Sequence, residues 1–94
     1  MKSESADGER AVVIRNKLGL HARPAAEFVK LANQFRCDIW VRKDEDEVNG
    51  KSIMGIMMLA AECGSEITIR AAGPDSKIAL ERLALLIEGG FGEE

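Results

Sequence analysis

A chain of 94 residues has room for one compact domain and not for a second of ordinary size. Its hydrophobic fraction of 46% is enough for one core, and 31% charged residues suit a soluble fold, not a disordered one. A net charge of −3 argues against a nucleic-acid binder, and no apolar run is long enough to span a bilayer. The polar opening, residues 1–10, lacks the apolar stretch of a signal peptide, so a cytoplasmic protein without membrane insertion is expected.

Residues 1–8 read as a loose N-terminal extension, with the domain itself over 9–90. Residues 11–15 are rich in β-branched side chains and form a first strand, followed by a loop over 16–19. From Ala22 to Phe35 the apolar positions Ala25, Phe28, Val29 and Ala32 recur at helical spacing, while Glu27, Lys30 and Asn33 fall on other sides. Residues 37–43 make a second strand with Ile39 and Val41 on one face and Trp40 on the other. Asp44 and Glu45 turn the chain into a short third strand over 46–49.

Ser52 is placed to N-cap a short second helix running through Ala61, which Gly55 weakens. Residues 67–71 alternate as a fourth strand, and Gly73-Pro74-Asp75-Ser76 turns the chain and caps a final helix over 77–88. Leu80, Leu83, Ala84 and Ile87 form its apolar stripe, Gly89 and Gly90 end it, and residues 91–94 are a tail. The order is βαββαβα. It predicts an α+β, open-faced two-layer sandwich, a four-stranded antiparallel sheet with three helices on one face.

The stretch Gly19-Leu20-His21-Ala22-Arg23-Pro24-Ala25-Ala26 lies where strand pattern gives way to helix pattern, and it contains the single histidine. Pro24 suits the first turn of a helix, where its missing N–H removes nothing. His21 therefore lies at a helix mouth, beside free N–H groups and the positive end of the macrodipole. An imidazole there is able to carry a phosphoryl group, with the first turn (Ala22, Arg23, Pro24) and the Arg23 guanidinium around its oxygens. The plainer alternative is a histidine that only caps or fills a helix start.

Other residues have plain and functional readings too. Ser52 caps a helix in either case; phosphorylated, it would add a charge of about −2 there. Of Met54, Met57 and Met58, one is expected in the core and two on a surface suited to several unlike partners. Cys37 and Cys63 form no CxxC and, with one histidine, make a poor metal set, so two thiols are expected. Whether they pair depends on their Cα separation.

Two motifs resemble the histidine-containing phosphocarrier family, HPr, of the bacterial phosphoenolpyruvate:sugar phosphotransferase system. One is Gly19-Leu20-His21-Ala22-Arg23-Pro24-Ala25; the other is Val48-Asn49-Gly50-Lys51-Ser52-Ile53-Met54-Gly55-Ile56-Met57. The resemblance implies that His21 is phosphorylated on Nδ1 by enzyme I and passes the group to enzyme IIA proteins. It implies that Arg23 pairs with the phosphoryl group and that an HPr kinase/phosphorylase modifies Ser52 in some bacteria. Leu20, Ile53, Met54 and Met57 match the apolar patch on which partners dock. Such a protein is an intermediate in a transfer chain, not a free-standing enzyme; it needs no cofactor or metal and is expected to be a monomer. The departures are the polar extension, Met58 after Met57, and Trp40 on the open sheet face.

Two rival readings keep His21. In one, phosphorylation at His21 or Ser52 reports metabolic state to regulatory partners and no sugar moves, as in a nitrogen-related or carbon-catabolite branch. In the other, His21 is the general base of a small enzyme, which needs a second polar catalytic group that the sequence does not offer.

Overall fold

β-Branched and aliphatic residues at every second position build the sheet: β1 (Gly8–Val13), β2 (Asp38–Lys43), β3 (Asp46–Asn49) and β4 (Glu66–Ala72). The computed structural model describes residues 7–93. All pairings are antiparallel, in the order β1-β4-β2-β3. Val12, Ile39, Val41, Ile67, Ile69 and Ala71 point inward and are buried. Three helices cover that face: α1 (Ala22–Ala32), α2 (Ile53–Met58) and α3 (Ser76–Glu88). Ala25, Phe28 and Ala32 of α1, Ile56 of α2, and Ala79, Leu80, Leu83, Ala84 and Ile87 of α3 join the sheet in one core. The expected βαββαβα sandwich is the observed fold. No described helix is long and apolar enough to cross a membrane.

The other sheet face is open, and Trp40 lies on it as expected. The Arg70 guanidinium sits 3.9 Å from the Trp40 ring centroid, and its Nη2 lies 3.4 Å from Oε1 of Glu47. The cation shields the ring and keeps the aromatic half-buried on a surface that faces water.

Several boundaries differ from the sequence pattern. β1 starts at Gly8, which pairs with Ala71 and so belongs to the sheet; residues 1–6 of the expected extension lie outside the described residues. α1 ends at Ala32, because Gln34 and Phe35 bond three residues back, to Leu31 and Ala32, and tighten the chain out of the α-helix. α2 ends at Met58, not Ala61: Ala60 takes a left-handed φ of 51°, which turns Leu59 and Ala61 into the core. Gly55 has a packing reason, since a Cβ there would lie 3.1 Å from Cβ of Val48. The Asp75 carboxylate does not cap α3; it accepts the backbone N–H groups of Arg36 and Cys37, each at 2.9 Å, and ties α3 to the approach to β2. Residues 91–93, expected as part of a tail, fold back onto the domain through a 3₁₀ turn (Gly90–Gly92) whose Phe91 is buried. Cys37 is a buried free thiol and Cys63 an exposed one.

Candidate functional site

The loop before α1 is wound around Asn16. The Asn16 carbonyl accepts the N–H of Gly19 at 3.0 Å, and its buried side chain donates from Nδ2 to the Gly19 carbonyl at 2.7 Å. Gly19 has φ +70°, and a Cβ there would stand 2.4 Å from the Ala61 carbonyl oxygen, so both conformation and space require glycine. The next N–H, of Leu20, donates to that Ala61 oxygen at 2.9 Å. Leu20, expected on the docking surface, is only 4% exposed: its side chain joins the core and anchors the loop instead.

His21 follows as the N-cap of α1, with extended backbone (φ −75°, ψ −172°). Its carbonyl accepts the first helical bond, from the N–H of Ala25 at 3.0 Å. The imidazole makes no capping bond to its own helix, and the side chain is 36% exposed. Ala22 and Arg23 begin the helix, so their N–H groups have no carbonyl one turn back; Pro24 brings no N–H. The mouth of α1 thus offers two amides and the positive end of the dipole to an anion. Arg23 is 69% exposed and rests with Nε 3.6 Å from Oε2 of Glu27, one turn along.

A carboxylate from the far end of the chain completes the cluster. Glu93 Oε1 lies 3.3 Å from Nε2 of His21 and accepts from Nδ2 of Asn16 at 3.1 Å. The Asn16 hydrogen bond, followed by the hydrogen bond and charge of His21, holds the Glu93 carboxyl below the usual carboxylate range against the cost of desolvation. Neither Asn16 nor Glu93 is marked by a sequence motif. The one signal is Phe91, an aromatic set between glycines after a helix end, where a solvated tail has no use for a large apolar side chain.

The second motif shapes the start of α2. Asn49 Oδ1 accepts the N–H of Lys51 at 2.8 Å, and Lys51 Nζ donates to the Phe35 carbonyl at 2.7 Å. Ser52 is thereby set as N-cap, its Oγ accepting the N–H of Gly55 at 3.1 Å. Beyond it, Ile53, Met54, Met57 and Met58 face solvent, the methionines at 68, 43 and 76% exposure. The expectation that one of the three methionines fills the core is corrected, because Ile56 occupies the inward position of this short helix and is fully buried. α1 packs on α2, and the Leu20–Ala61 bond joins their ends, so both motifs belong to one side of the molecule.

The family described as "PTS HPr component phosphorylation site" matches residues 8–89. Among curated proteins, the Phosphocarrier protein HPr of Neisseria meningitidis is 48% identical over 85 residues, 90% of this chain and 96% of its own. The HPr-like protein Crh of Bacillus subtilis is 49% identical over 80 residues, 85% of this chain and 94% of its own. A crystal structure of HPr from Thermoanaerobacter tengcongensis superposes with a TM-score of 0.89 at 50% identity, covering 93% of this chain and 98% of that one. Sequence and fold agree over nearly the whole length, and the chain belongs to the HPr family of phosphocarriers of the phosphotransferase system.

Proposed function

We propose that this chain accepts a phosphoryl group on Nδ1 of His21 from phosphorylated enzyme I, originally from phosphoenolpyruvate, and passes it to enzyme IIA proteins. One observation carries the reading: His21 stands at the mouth of α1, half-exposed, with its imidazole not engaged in capping. Phosphoryl transfer asks a carrier mainly for positioning and for charge stabilisation. The amides of Ala22 and Arg23 supply the fixed part of that stabilisation, and Pro24 closes the turn that presents them. The Arg23 guanidinium supplies the mobile part. Its exposed pairing with Glu27 is of a kind worth about 0–1 kcal/mol, so an arriving phosphoryl group readily draws it away. Two amides and one arginine make a moderate grip, as a carrier that must release its cargo requires.

Ser52 is the regulatory site in this reading. A phosphate there, added by an HPr kinase/phosphorylase, brings a charge of about −1.5 to −2 to the start of α2. The charge would adjoin Ile53, Met54 and Met57, whose flexible side chains form the docking surface for partners. Acidic partner surfaces are then repelled without refolding.

Incubation with phosphoenolpyruvate and enzyme I should give an acid-labile phosphate that His21→Ala does not take up. An acid-stable product, or equal labelling of the variant, overturns the reading. The similarity to Crh supports a second reading, a regulatory HPr-like module that moves no sugar. In that case the chain is labelled on His21 or Ser52 but discharges to no enzyme IIA.

A further inference from the structure

We infer that Glu93 is a positioning residue for His21, its carboxylate holding the imidazole as the Nε2–H tautomer so that Nδ1 is the free nucleophile. The inference rests on the carrier role proposed for His21. It begins from an ordinary asymmetry: a neutral imidazole has one N–H and one lone pair, and whatever binds one nitrogen decides the state of the other. Oε1 of Glu93 faces Nε2 at 3.3 Å. An ionised carboxylate only accepts, and this one is held below the usual range chiefly by Asn16. Nε2 must then donate, and Nδ1 carries the lone pair.

The carboxylate is itself held. Asn16 Nδ2 donates to the same Glu93 oxygen at 3.1 Å and to the Gly19 carbonyl at 2.7 Å. One buried amide therefore links Glu93 to the loop that delivers His21. On the other side, Phe91 is buried, and Gly90, Phe91 and Gly92 all have left-handed backbone (φ 67°, 57° and 74°). That curl, closed by the N–H of Glu93 on the Gly90 carbonyl at 2.8 Å, returns the chain to the site. A left-handed phenylalanine is uncommon, and it persists where the surroundings over-determine it.

In the transfer, the Nδ1 lone pair forms the new bond to phosphorus. The bond from phosphorus to the donor breaks, and its electron pair stays with the donor. The proton on Nε2 remains on His21. The ring gains positive charge, which the Glu93 carboxylate faces, and loses it again when the group moves on.

The test uses the full chain with ¹⁵N-labelled histidine. In the unmodified protein, imidazole NMR should show His21 protonated on Nε2 in its neutral form. Glu93→Ala should raise the Nδ1–H form and slow phosphorylation by enzyme I roughly 10- to 100-fold, by analogy with the groups that orient metal-ligating imidazoles. Glu93→Gln keeps an acceptor oxygen and should restore the tautomer and part of the rate. A Glu93→Ala protein with a lowered melting temperature but unchanged tautomer and rate overturns the proposal, leaving Glu93 as a structural strap. If the unmodified chain takes no phosphate on His21, the carrier reading fails and the proposal falls with it. Normal labelling of both proteins removes Glu93 alone.

Discussion

The N–H of Leu20 donates to the carbonyl of Ala61 at 2.9 Å, so the loop that delivers His21 is clamped to the chain leaving α2. The clamp leaves no space beside Gly19, where an added Cβ would lie 2.4 Å from the same oxygen. Gly19→Ala should therefore push the loop away from Ala61 as well as hold an L-residue at positive φ, which alone costs about 1–2 kcal/mol. The variant should melt lower and accept phosphate more slowly, as read by calorimetry and by labelling with enzyme I. A wild-type rate would show that the clamp does not position His21.

Ser52 separates a capping role from a charging role. Ser52→Ala removes the acceptor for the Gly55 N–H and should lower stability by about 1 kcal/mol in denaturant titration. Ser52→Asp retains an acceptor and places its charge favourably at the helix start, so its stability should stay near that of the native chain. Its affinity for acidic partners should nevertheless fall, as titration calorimetry would measure.

Within α2, the buried and exposed side chains should behave oppositely. Ile56→Ala opens a cavity in the core and should cost about 2–5 kcal/mol. Met54→Ser removes a side chain that is mostly in water and should change stability by less than about 0.5 kcal/mol. Transfer to enzyme IIA should show the reverse order of sensitivity once folded protein concentrations are matched.

The two thiols should differ in reactivity. Burial, reinforced by the Asp75 carboxylate, pushes the Cys37 thiol up from 9.0 to about 11. At neutral pH an alkylating reagent should modify exposed Cys63 and leave Cys37 intact until the protein unfolds. The raised value also has a stability consequence. Above 9.0 the unfolded chain ionises this thiol while the folded chain keeps its proton, so stability is complete below 9.0 and falls as pH rises towards about 11. Replacing Cys37 by Ser should remove that part of the alkaline loss.

The sequence alone determined the order of elements, the placement of His21 at a helix mouth and the Ser52 cap. Each depends on neighbours within a turn or two: the spacing of Ala25, Phe28 and Ala32, the proline after Arg23, the serine before Ile53. The boundaries were less legible, because the ends of α1 and α2 depend on where Phe35, Leu59 and Ala61 find burial. Helical spacing also does not say which side of a short helix turns inward. Packing against the sheet chose Ile56 and left all three methionines in water, and it drew Leu20 into the core. Tertiary structure alone decided the company of His21. Glu93 is 72 positions from it and 77 from Asn16, and no periodicity or cap rule links such distant residues. Only the burial of Phe91, which returns the end of the domain to its first loop, brings that carboxylate to the imidazole.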